Sequence, residues 1–214
     1  MTIYNDTISQ YITDLFASQD EALRQVLEDS PKKGLPAISI KPEEGRFLQL
    51  LVRASGGRQA LEIGTLGGYS GIWIARGLAP GGKLITLEKE PKHADVAREH
   101  LKAAGVADQV EIRIGNAHDS LAELNHHPPF DFVFIDADKT GYGAYFDWAL
   151  EHVRVGGLIV AHNAFRNGEV VNADTTQADT ISIQSFNKRV ADESRVISTI
   201  FPGGDGALVA VKIA

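Results

Sequence analysis

From residue 58 onward, short apolar runs alternate with segments of helical periodicity. Residues 59–63, 83–88, 110–114, 131–135 and 158–161 read as strands, being short and rich in Leu, Ile, Val and Phe. Helical patterns fall between and after them, over 70–78, 91–104, 119–124, 142–153 and 181–193. Pro91 sits where a first helical turn favours proline, and Gly105 where a helix stops. Such alternation predicts right-handed crossovers and a parallel sheet covered on both faces. The end of the chain departs from it. Residues 195–201 and 207–213 flank the turn Pro202-Gly203-Gly204-Asp205-Gly206, a hairpin that sets one strand antiparallel to the rest. Residues 1–55 read as helical, with Lys41-Pro42-Glu43-Glu44 opening a helix that carries Phe47, Leu50 and Leu51. The expected architecture is a three-layer α/β sandwich (58–214) with a helical N-terminal appendage (1–55).

At 214 residues, one domain spanning 1–214 is the default. With 43% hydrophobic and 23% charged residues, wholesale disorder, collagen and coiled coil drop out. The absence of cysteine excludes thiolate catalysis, disulfides and Cys-ligated zinc, and leans toward a cytoplasmic address. The start shows neither a basic nor an apolar leader region, and no apolar run approaches bilayer length, so no membrane association is expected. A net charge of −7 disfavours indiscriminate attraction to nucleic-acid backbones.

Candidate chemistry begins at Glu62-Ile63-Gly64-Thr65-Leu66-Gly67-Gly68-Tyr69-Ser70, which leaves the first strand and enters a helix. In an open parallel sheet, ligands bind at this end of the strands. The dinucleotide fingerprint requires glycine where Leu66 stands, and a phosphate loop requires a lysine that this loop lacks. Glu62 would repel pyrophosphate but suits a cationic ligand, and Glu88 ends the second strand, where a carboxylate accepts both ribose hydroxyls. A nucleoside carrying positive charge, S-adenosylmethionine, fits both acids. The competing reading is that the glycines only make a tight turn and Glu88 only faces water.

The stretch 61–70, the run Ile135-Asp136-Ala137-Asp138-Lys139, Asn163 and the tail Pro202-Gly203-Gly204-Asp205-Gly206 resemble the cation-dependent O-methyltransferases, which include the caffeoyl-coenzyme A and catechol O-methyltransferases. The resemblance covers roughly residues 41–212, with several motifs in order. It implies a Rossmann-like, doubly wound, mostly parallel seven-stranded sheet, S-adenosylmethionine as donor, a divalent cation and a homodimer. Position by position, it implies Glu62, Gly64, Thr65 and Ser70 around the methionine end of the cofactor, with Gly68 and Asp136 also cofactor-binding and Asp136 catalytic beside Lys139. It further implies Glu88 at the ribose, Ala117 near the adenine and Asp138 close by. Asp136 and Asn163 match metal ligands, Lys139 the base and Asn167 a substrate contact.

The strand pattern agrees. Asp136 and Asp138 end the fourth strand and Asn163 follows the fifth, so all three point into one crevice. A lysine beside a bound cation is a better proton acceptor. A cation on two adjacent oxygens lowers their pKa from about 10 for a free phenol and fixes the attacking oxygen near the methyl. For Asp-x-Asp-Lys the competing reading is a strand-end turn with a surface ion pair. One departure stands out: where the family has Asp-Asn, this chain has His162-Asn163. Imidazole in place of carboxylate predicts His162 as a ligand and favours manganese, iron, cobalt, nickel or zinc over magnesium. In the competing reading His162 points away or only hydrogen-bonds.

The expected activity is methyl transfer to a hydroxyl of a catechol-type or hydroxycinnamoyl small molecule. Two alternatives compete with it: a transfer-RNA methyltransferase acting on a hydroxylated wobble uridine, and a nucleoside-binding module without catalysis. The acceptor slot is expected from the N-terminal region near residues 38–41 and the loop 163–180, which carries Phe165.

Overall fold

The computed structural model of the protein describes residues 4–214. One seven-stranded sheet runs through it in the order β3-β2-β1-β4-β5-β7-β6. The strands are β1 (Gln59–Ile63), β2 (Lys83–Glu88), β3 (Val110–Ile114), β4 (Phe130–Ile135), β5 (Val153–Ala161), β6 (Val196–Phe201) and β7 (Ala207–Lys212). The first five are parallel, and β7 enters antiparallel between β5 and β6. The helices are α1 (Asp6–Phe16), α2 (Glu21–Lys32), α3 (Pro42–Ala54), α4 (Tyr69–Gly77), α5 (Pro91–Ala103), α6 (Ala117–Glu123), α7 (Tyr142–His152) and α8 (Ala178–Ala191). From β1 the chain builds outward through β2 and β3, then returns to place β4 on the other side. That reversal opens a crevice beyond the carboxyl ends of β1 and β4. Among the described residues no helix is long and apolar enough to cross a membrane.

Successive strand side chains face opposite ways, so the central strands must be apolar throughout. On β4, Phe132 and Phe134 pack on one face with Leu84, Val160 and Trp73, while Val133 and Ile135 pack on the other with Leu61, Tyr142 and Phe186. Val26 of α2 and Leu48 and Val52 of α3 are buried in the first of these clusters. The N-terminal helices are therefore part of one covering layer of the sheet. Gly45 makes this possible, because a Cβ there would overlap the Trp73 indole.

The largest departures from the sequence expectation are at β5 and the loop after it. Strand β5 begins at Val153, five residues before the apolar run at 158, and its pairing with β4 shifts register between Phe130 and Phe132. Gly156, at φ +78, and Gly157 fall between the expected helix end at 153 and the expected strand start at 158, yet they sit inside the strand. The loop 163–180 contains a 3-10 segment, Arg166–Val171, interrupted by left-handed backbone at Asn167 and Gly168.

Candidate active site

A cavity of about 870 Å³ occupies the crevice, walled by the loops after β1, β2, β4 and β5. The β1 and β4 loops stay stitched together as they leave the sheet. Gly64 donates its N–H to the Leu87 carbonyl at 3.0 Å, and Asp136 donates to Ile63 at 2.9 Å. Gly64 has φ +109 and a Cβ there would overlap the Asp136 carbonyl, so only glycine fits. Leu66, at φ +48, donates its N–H to Glu88 Oε2 at 2.7 Å, which fixes that carboxylate on the cavity wall.

Glu62 lies fully buried behind the glycine loop and accepts hydrogen bonds from Ser70 Oγ and Thr86 Oγ1, each at 2.6 Å. Burial pushes its carboxyl up to about 7, with the two hydroxyls pulling the other way. A desolvated carboxylate with only neutral partners favours a positive charge nearby, which suits a cationic ligand.

On the β4 side of the cavity, Lys139 Nζ donates to Asp136 Oδ1 at 3.0 Å and to the Tyr142 hydroxyl at 2.8 Å. Asp136 Oδ2 lies 3.3 Å from His162 Nδ1, and His162 Nε2 lies 2.9 Å from Glu44 Oε1 in the first turn of α3. Burial works to lower the imidazole pKa, but the hydrogen bonds to Asp136 and Glu44 outweigh it and raise it to about 10. Burial opposes ionisation of Asp136 too, yet His162 and the Lys139 charge hold its carboxyl down at about 2. Asp138 accepts from the Tyr145 hydroxyl at 2.7 Å.

The loop after β5 is braced by Asp205 in the β6–β7 turn. Its carboxylate accepts from Asn163 Nδ2 at 2.9 Å and from the Asn167 N–H at 2.5 Å, and its carbonyl accepts from the Phe165 N–H. Among the described residues, the non-glycine positions with positive φ are Leu66, Asn163, Arg166 and Asn167. The first three line the cavity. Left-handed backbone at such residues costs about 1–3 kcal/mol each and gathers where function holds it in place.

Of the residues singled out from sequence, Gly64, Thr65, Ser70, Glu88, Ala117, Asp136, Asp138, Lys139 and Asn163 line the cavity. Glu62 sits directly behind that wall, bonded to Ser70, and His162 does so against Asp136. Gly68, at φ +84, caps α4 instead of lining the wall. Asn167 is exposed and meets the site through its backbone N–H on Asp205. Sequence reasoning did not single out Glu44, Tyr142, Arg166 or the brace at Asp205. Two of them had a signal: Tyr142 stands three residues after Lys139, and Asp205 lies in the tail motif 202–206, which reads in the sequence only as a turn and a family resemblance.

Among the described residues no three His, Cys, Asp or Glu side chains form a metal-holding group. Without metal, His162 is protonated between Asp136 and Glu44, so a cation has to displace the Nδ1 proton before the donors present can hold it. Two ligand atoms on one ion stand roughly 3 to 3.4 Å apart, and His162 Nδ1 and Asp136 Oδ2 are 3.3 Å apart. Glu44 on the far ring nitrogen is the carboxylate partner that ligating histidines usually have. Asn163 points its amide nitrogen at Asp205, which leaves its carbonyl oxygen available as a hard ligand.

A family model described as O-methyltransferase matches residues 13–213. The catechol O-methyltransferase of Niastella koreensis is 44% identical over 197 residues, 91% of this chain and 89% of that one. That of Mycobacterium tuberculosis is 41% identical over 95% of this chain and 94% of its own. The chain belongs to the O-methyltransferase family. An O-methyltransferase from Bacillus cereus, crystallised in complex with S-adenosylhomocysteine, superposes with a TM-score of 0.91 at 44% identity, over 96% of this chain and 97% of that one. As in any O-methyltransferase, the site has to hold a methyl donor and a hydroxyl acceptor at once.

Proposed function

We propose that the protein is an S-adenosylmethionine-dependent O-methyltransferase acting on one of two adjacent hydroxyls of a small aromatic acceptor, with a divalent cation held by Asp136, His162 and Asn163. The observation that carries this reading is one cavity with a buried carboxylate, Glu62, behind its glycine loop, and with Asp136 and Lys139 on its β4 wall, where His162 backs Asp136. The catechol O-methyltransferase relatives support the acceptor class.

When bound, the cation supplies Lewis acidity to the acceptor oxygens, and S-adenosylmethionine supplies a methyl group on a sulfonium. Glu62 and Ser70 favour the positive charge of the donor, while Glu88, held by the Leu66 and Glu90 N–H groups, accepts the ribose hydroxyls. Ala117 and Asn116 stand where the adenine would lie. Lys139 Nζ, steered by Asp136 and the Tyr142 hydroxyl, receives the proton of the reacting hydroxyl. Ile38 and Ile40 form an apolar wall that excludes water from the aromatic ring. The nitrogen of His162 tilts the site toward manganese, cobalt, nickel, iron or zinc and away from magnesium. Exposed Tyr11, Leu15 and Phe16 on α1 supply an apolar face for a second copy, so the reading includes a homodimer.

The test is turnover on 3,4-dihydroxy aromatics after chelation, with each cation re-supplied, beside calorimetric titration with donor. Cation-restored methylation, lost about 100-fold or more in Lys139→Ala, is the expected result. Donor binding without methylation of any acceptor would leave a nucleoside-binding module in place of an enzyme.

A further inference from the structure

We propose that Arg166 recognises a carboxylate on the methyl acceptor, so that the preferred substrates carry an acidic group on the dihydroxylated ring, as dihydroxybenzoates and dihydroxycinnamates do. The proposal rests on the O-methylation reading above and narrows its acceptor class.

Arg166 lines the cavity together with Asp136, Lys139, Asn163 and Asp179. It is held there at φ +48 and followed by Asn167 at φ +53 and Gly168 at φ +89, in the loop that Asp205 braces. A surface arginine needs no such backbone. The guanidinium has five N–H donors. Its side-chain contact is Nη2 to Asp179 Oδ2 at 3.4 Å, near the outer limit for a hydrogen bond. Nε is buried without a partner. A buried charged donor left unpaired is unfavourable and is satisfied by an incoming acceptor.

The other basic side chains on the wall are differently placed. Lys139 is engaged by Asp136 and Tyr142, and His93 by Glu88. Lys89 stands on the loop after β2, and His118 opens α6 and packs on the Tyr145 ring. Arg166 is therefore the cation with donors to spare at the acceptor end. Around it the acids Asp136, Asp138, Asp179 and Asp205 would repel an anionic acceptor. A planar guanidinium overcomes this by pairing with a carboxylate through two parallel hydrogen bonds. The incoming carboxylate would take over Nη2 from Asp179.

The experiment compares 3,4-dihydroxybenzoate with its methyl ester, using the full chain, S-adenosylmethionine and manganese. The acid is expected to exceed the ester in kcat/KM by about tenfold or more, chiefly through KM. Arg166→Gln should lower that acid-to-ester ratio about tenfold, Arg166→Lys should retain part of it, and Asp179→Asn should raise it. Equal use of acid and ester by the unaltered protein, or equal losses on both in Arg166→Gln, would overturn the proposal. If neither compound is methylated, the O-methylation reading fails instead. Calorimetric binding of the acid and the ester to protein loaded with S-adenosylhomocysteine then decides the role of Arg166 by the same ratio. Melting curves of each variant confirm that the fold is intact.

Discussion

His162 Nε2 and Glu44 Oε1 lie 2.9 Å apart across 118 positions of chain, so a residue in the first turn of α3 orients a residue at the tip of β5. Both side chains are nine-tenths buried, and Asp136 holds the second ring nitrogen. Removing one carboxylate from such a cluster strands charge in the interior. We expect Glu44→Ala to destabilise the metal-free protein by about 3 kcal/mol, read from urea unfolding, with Glu44→Gln recovering part of the loss. The same change should weaken cation binding by about 10-fold or more, because the ligand ring loses its orienting partner.

Exchanging the imidazole for a carboxylate should invert metal choice. His162→Asp replaces a borderline nitrogen donor with a hard oxygen. Its activity after chelation is expected to recover best with magnesium, whereas the unaltered protein recovers best with manganese, cobalt or zinc. A magnesium optimum in both proteins would remove His162 from the ligand set.

The buried Glu62 carboxyl ties stability to pH. Its pKa is about 7 in the folded chain against 4.5 when unfolded, so the folded state holds the proton longer. Stability therefore declines as pH rises from about 4.5 through 7, by roughly 3 kcal/mol in all. A cationic donor offsets the exposed cost, so its affinity should increase from pH 5.5 to 8. Glu62→Gln should flatten both profiles, which chemical denaturation and calorimetry across that range would show.

His100, buried on α5, donates from Nδ1 to the Gly67 carbonyl at 2.8 Å and so fixes the middle of the glycine loop. His100→Ala leaves that carbonyl without its partner and should cost about 1–3 kcal/mol of stability. The KM for the donor should rise several-fold with a smaller change in kcat, separating loop positioning from chemistry.

The local motifs were legible in the chain because their geometry is local. Gly64 to Ser70 and Asp136 to Lys139 each span one strand end and the turn after it, where spacing alone dictates which side chains face the crevice. The central strands were legible for a similar reason: runs such as 131–135 are apolar on both faces and bounded by turn residues. Strand β5 was legible only from residue 158, since Gly156-Gly157 carries a turn signature that the register shift with β4 absorbs. Long-range partnerships left no trace. Glu44 is the third residue of an ordinary helix start, and only the packing of α3 against the sheet brings it to His162. Arg166 reads as a loop arginine until the left-handed backbone aims it at the cavity.

The brace at Asp205 ties one wall of the crevice to a hairpin that lies outside it. Strand β7 flanks β5, and the turn before it holds Asn163 and Asn167 in place. The glycine loop after β1 takes no hydrogen bond from that turn; its fixings come from β2, α5 and β4. Slackening the hairpin turn would therefore loosen one side of the crevice and leave the other in register.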